Sequence, residues 1–157
     1  MTATKVIGES VKQTNRTFIK SYVEDYAKAI TENYRRYHIN TLNGNLHGNY
    51  PEYAREQLDA IENGTANLMK FKVYTGKRYY KIVQQEFETW EKSRNYGKYA
   101  DGSVHCFVDK ETGDVYKPAS WSAPAKHIRF TFQNVDHLKF LLNPDNVGWA
   151  GGYLYIR

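Results

Sequence analysis

The sequence predicts an α+β fold, with a long N-terminal helix and a short second helix packed on an antiparallel sheet of about five strands. Apolar residues recur at steps of three and four early in the chain. They alternate with polar residues after residue 68, and turn-forming dipeptides separate the segments. No repeat or linker interrupts this order. One domain over residues 1–157 is expected, helical over 10–63 and mainly β over 68–157.

The first helix is expected from Ser10 to Tyr37. Ile19, Val23, Tyr26, Ile30, Tyr34 and Tyr37 form its apolar stripe, and Ser10 suits its N-cap. Asn40–Asn49, with Asn43-Gly44 and Gly48, reads as a loop. Pro51 fits the first turn of a second helix whose apolar face is Ala54, Leu58 and Ile61 and whose stop is Asn63-Gly64. Met69, Phe71 and Val73 then alternate with Lys70, Lys72 and Tyr74, the pattern of a strand with one buried face. Thr75-Gly76 turns the chain into a return strand over Arg78–Val83. The spacing of Val83, Phe87 and Trp90 suggests a short helix at its end. Ser93–Ser103 reads as a loop, Val104–Val108 as a strand, Lys110–Gly113 as a hairpin turn and Asp114–Lys117 as the partner strand. His127–Phe132 predicts a further strand. Val135–Leu142 predicts a short helix capped by Asn134, and Trp149–Ile156 a closing strand with Gly151-Gly152 as a bulge.

Composition narrows the function without naming it. The chain is 41% hydrophobic and 25% charged, enough apolar material for a core. No apolar run approaches the roughly 20 residues of a membrane span, so no membrane is expected as a partner. Met1–Ser10 lacks the apolar core of a cleaved signal. The single cysteine, Cys106, excludes an internal disulfide and suits a reducing compartment. A net charge of +5 permits nucleic acid or an acidic protein surface as partner. The 14 tyrosines offer flat faces with polar tips, which suit interfaces and base stacking, and the plainer reading is that they fill a sheet surface and a helix seam.

Two segments interleave basic and aromatic residues. One runs from Lys70 to Lys81 and holds Lys70, Lys72, Tyr74, Lys77, Arg78, Tyr79 and Tyr80. The other is Arg94-Asn95-Tyr96-Gly97-Lys98-Tyr99. On a hairpin, Lys70, Lys72 and Tyr74 share a face. With Lys77, Tyr79 or Tyr80 beside them they form a platform that can stack bases and contact phosphates; otherwise the same residues make a solvated sheet surface.

Signatures of catalysis are missing. There is no phosphate-binding loop of the Walker type and no Gly-x-Ser-x-Gly elbow. The histidines, His38, His47, His105, His127 and His137, lack zinc-ligand spacing. His105 and Cys106 are adjacent, so on a regular strand they point to opposite faces and do not pair; Cys106 is expected in the core. No enzyme activity, cofactor or metal is expected.

Lys117-Pro118-Ala119-Ser120-Trp121 runs on into Ala123-Pro124-Ala125-Lys126, after the hairpin Val104–Tyr116 and before Trp149-Ala150-Gly151-Gly152-Tyr153. Over residues 104–157 this resembles a family of uncharacterised small proteins of tailed bacteriophages. The resemblance implies a phage origin and transfers neither an activity nor functional residues. Physically, Pro118 and Pro124 stiffen the loop around Trp121. Either Trp121 plugs the core, or a rigid loop presents Ser120, Lys126, His127 and Arg129 to a phosphate or an acidic surface. The leading expectation is a non-enzymatic phage binding protein acting on nucleic acid, or on a host complex that handles it, in the host cytoplasm. A virion component, with the protein located in the particle, and an inhibitor of a host defence or polymerase complex are the alternatives.

Overall fold

The computed structural model describes residues 3–156, with side chains from Thr17 onward. Helix α1 spans Ala3–Asn45 and α2 spans Pro51–Glu62. Strands β1 (Lys70–Thr75), β2 (Tyr79–Phe87), β3 (Tyr99–Asp109), β4 (Asp114–Tyr116) and β5 (Phe130–Thr131) follow, then α3 (Val135–Leu141) and a 3-10 turn at Gly152–Leu154. The five strands form one antiparallel meander in sequence order. The expected α+β architecture is therefore present.

The stripe on α1 builds the core. Ile19, Val23, Tyr26 and Ile30 are buried against Phe71, Tyr80, Ile82, Cys106, Val108 and Val115 of the sheet. Burying one such aliphatic side chain contributes roughly 1.5–3 kcal/mol, so this row dominates the attachment of helix to sheet. Ala27 and Ala29 let the helix lie close. Thr31 Oγ1 accepts a hydrogen bond from Phe71 N at 3.3 Å, which occupies part of the free edge of β1.

Several boundaries differ from expectation. The helix begins at Ala3, so Ser10 stands inside it, not at its cap; the Ser10 side chain lies outside the described residues. It also continues through Asn45, absorbing much of the expected loop. Tyr37 is 51% exposed and packs against Trp149 at the surface, so it is not a core residue. Strand β2 runs on to Phe87 because Phe87 pairs with Tyr99; the expected helix there is absent. Residues 99–103, read as loop, belong to β3. Strand β5 keeps two residues of the expected six; His127 has φ at 56°, outside the extended region a strand needs. The expected closing strand is a 3-10 turn instead, anchored to α1 where Asn33 accepts from Trp149 N at 2.9 Å. Asn134 caps α3 as expected, accepting from the Asp136 and His137 amides.

A bulge in β3 changes the geometry of the core. Ile82 pairs with Cys106 but Val83 pairs with Val104, so His105 is the extra residue. The rule of opposite faces fails at a bulge, and both His105 and Cys106 are buried. They meet through two tyrosines. His105 Nε2 lies 2.7 Å from the Tyr153 hydroxyl, which lies 2.5 Å from the Tyr26 hydroxyl, and Tyr26 hydrogen-bonds the Cys106 thiol. The His105 ring also bonds the Trp149 backbone. Every buried polar side-chain atom among the described residues has a partner.

Candidate nucleic-acid interface

With one face of the sheet on α1, the opposite face carries the other side-chain set. Lys70, Lys72 and Tyr74 pair across to Gln85, Val83 and Lys81. On the far side of β2, Lys81 pairs with Phe107 and Gln85 with Asp101, and Phe107 pairs with Tyr116. The outer face is thus a row of rings and cations held by ladder register.

Cations sit on neighbouring rings along this face. Lys70 Nζ lies 3.9 Å from the centre of the Tyr99 ring, and Lys72 Nζ 4.9 Å from that of Tyr74. The Arg78 guanidinium lies 5.2 Å from the Tyr79 ring. Lys81 Nζ lies 4.1 Å from the Trp121 ring and donates to the Trp121 carbonyl at 2.9 Å. That double contact explains the loop. Pro118 and Pro124 bridge its base, and the Ala119 and Ser120 amides both donate to the Ala123 carbonyl. Trp121, at 46% exposure, does not plug the core; it is laid over the outer face.

Between hairpin and loop lies an open groove of about 490 Å³, lined by Tyr74, Tyr79, Lys81, Asp101, Phe107 and Trp121 among others. Asp101 is its acidic member. It accepts from Gln85 Nε2 at 2.7 Å and from the Tyr74 hydroxyl at 2.8 and 3.0 Å. The bond from Gln85 chiefly, then that from Tyr74 and the charges of Lys72 and Lys81, hold the carboxyl below its usual range. Asp101 is therefore an anion and an acceptor at neutral pH. Lys77, Arg78 and Lys110 line a second concavity at the hairpin tip, next to the groove.

Of the sequence-predicted residues, Lys70, Lys72, Tyr74, Lys77 and Arg78 come together on this face or at its tip. Tyr80 does not: it points inward and is 6% exposed, because its neighbour Tyr79 takes the outer position. Ser120 lies beside Trp121, its hydroxyl accepting from the Ser122 amide. Lys126, His127 and Arg129 precede or flank β5 at the other edge of the sheet and do not join Lys70, Lys72 and Tyr74. Arg129 is a tie between backbone segments. The Arg94–Tyr99 segment closes the opposite end of the sheet from the β1–β2 turn, and only Tyr99 reaches the face, under Lys70. Sequence reasoning missed Asp101, Phe107 and Trp121 as members of the site. Cross-strand register could have found the first two; nothing local announces where Trp121 lands.

Nucleophilic chemistry has no support in the buried cluster. Burial pushes the Cys106 thiol up to about 12, so it is not a thiolate at neutral pH. No group of three or more His, Cys, Asp or Glu side chains fit for a metal occurs among the described residues. None of their helices is long and apolar enough to cross a membrane.

Residues 5–156 match a family of unknown function, DUF7717. The chain belongs to that family. The match takes in α1 and α2 as well as the stretch from residue 104 onward, so helices and sheet form one family unit. No curated protein and no solved structure matches the chain.

Proposed function

We propose that this member of DUF7717 is a non-enzymatic binding protein of bacteriophage origin that holds single-stranded nucleic acid on the outer face of its sheet, in the host cytoplasm. The supporting observation is the set of cation–ring pairs along one face: Lys70 on Tyr99, Lys72 on Tyr74, Arg78 on Tyr79 and Lys81 on Trp121. An exposed pair of this kind is worth about 0.5–1 kcal/mol. A base stacked on the ring is worth about 1–3 kcal/mol, and the released cation gains a phosphate. The exchange of cation for base therefore favours the strand. A duplex hides its base faces, which is why the single strand is the better ligand.

Fluorescence anisotropy with a labelled oligothymidine tests this. Binding at low salt is expected, weakening with salt at a log–log slope of about −3 for about four phosphate contacts. Lys72→Ala should lower that slope by about 0.7 with little loss of fold, since Lys72 is exposed. No binding at low salt would rule the reading out.

A further inference from the structure

The groove holds one feature that a non-selective strand binder has no use for. A carboxylate repels the phosphate backbone, yet Asp101 is built into the middle of a basic, aromatic face and fixed there by Gln85 and Tyr74. Its two oxygens share a single hydroxyl proton, that of Tyr74, at 2.8 and 3.0 Å. The Tyr74 hydroxyl thus occupies the position between the oxygens where a pair of adjacent N–H donors would bind. Trp121, Tyr79 and Phe107 line the same groove of about 490 Å³, which has room for a purine. Lys77 and Arg78 line the tip end of the same groove, where Arg78 also pairs with Asp109 at 3.7 Å.

Resting on the single-strand reading above, we propose that this groove selects guanine, with Asp101 accepting from the N1–H and the 2-amino group. Guanine is the base that presents two adjacent donors on its Watson–Crick edge. Adenine and cytosine present one amino group beside an acceptor, which would face the carboxylate with a lone pair. Thymine and uracil present one imide N–H between two carbonyls, both repelled by the anion. On binding, the Tyr74 hydroxyl leaves the carboxylate for water while the two N–H groups replace it. Gln85 keeps its bond to Oδ1 and holds the carboxylate in place. One hydroxyl bond is exchanged for two charge-assisted N–H bonds, so the exchange favours guanine.

The experiment uses the full chain and short oligothymidines carrying one central dG, dA or dC, measured by anisotropy against oligothymidine alone. The dG strand is expected to bind about ten-fold tighter than the dA and dC strands, the discrimination of one good two-bond contact. Asp101→Asn keeps the size and the hydrogen bond to Tyr74 but replaces one acceptor with a donor. It should bring all strands to within about two-fold of each other, chiefly by weakening the dG strand. Equal affinities for the wild type, or a dG preference that survives Asp101→Asn, would overturn guanine selection and leave the strand interface standing. Failure of every strand to bind, oligothymidine included, would overturn both.

Discussion

Lowering the pH from 6.5 to 4 is expected to remove about 3 kcal/mol of folding stability through His105 alone. Burial holds the imidazole down to about 4 in the folded chain, against an ordinary 6.5, and the bond to the Trp149 backbone opposes this only in part. Phe71, Tyr153 and Gly151 surround the ring, and none carries a charge to stabilise an imidazolium. The unfolded chain therefore takes up its proton first as the pH falls. The contribution is fully present above 6.5, is lost between 6.5 and 4, and falls no further below 4. Asp101 acts in a lower window, since its carboxyl is held beneath 3.8 and its contribution is lost as the pH falls through that depressed value.

Urea unfolding of the wild type and of His105→Gln, at pH values spanning the window, measures the effect. Glutamine offers an acceptor to Tyr153 and a donor to the Trp149 backbone, so the variant retains the network without the titration. Wild-type stability should fall by about 1.4 kcal/mol per pH unit in the middle of the window, and the variant should be nearly flat. Parallel slopes for the two proteins would show that His105 is not the titrating group. Because His105 connects β3 to Tyr153, the C-terminal turn should lose hydrogen-exchange protection together with β3 as the ring is protonated.

The same bulge shows what could be read from the chain and what could not. Periodicity exposed the core stripe of α1, the hairpin of β1 and β2 and the cap at Asn134, because each is a local pattern with a local cause. The face of His105 depends on one extra residue in β3 relative to β2, which no spacing within β3 reveals. The site divides along the same line. Lys70, Lys72 and Tyr74 lie on one face by strand alternation, so their association was legible. Tyr80 and Tyr79 are adjacent, and only the register decides which of them faces outward. Lys126 and Arg129 looked equivalent to the other cations as charges. Their separation follows from strand order, with β1 and β5 at opposite edges. Asp101 lay in a polar stretch that resembles a loop, and it became a site residue once β3 proved long enough to carry it to Gln85.

Gly113→Ala is expected to cost about 2–5 kcal/mol, through two effects that can be measured apart. The residue ends the turn between β3 and β4 with φ at 74°, a conformation that costs an L side chain roughly 1–2 kcal/mol. Asp109 fixes that turn, its carboxylate accepting from the Glu111 and Thr112 amides while its carbonyl accepts from Gly113 N. The backbone therefore has little freedom to relax. A Cβ at Gly113 would also stand 3.0 Å from Phe132 Cβ, just past β5, and 3.5 Å from Ile19 Cγ1 of α1. Overpacking of this kind costs about 1–3 kcal/mol. Gly97 supplies the comparison: its φ is also 74°, but nothing lies within 4 Å of where its Cβ would be. Gly97→Ala should therefore show the conformational cost alone, and the difference between the two variants in urea unfolding should report the contact with Phe132 and Ile19. Phe132→Leu, tested with and without Gly113→Ala, keeps the Phe132 Cβ and removes the ring, whose Cδ2 would lie 3.4 Å from the new methyl, so it probes the ring's share of that contact. If the two changes are additive, the strain lies in the turn and its contact with the Phe132 Cβ; if the double variant recovers stability, the turn is pressed against the ring.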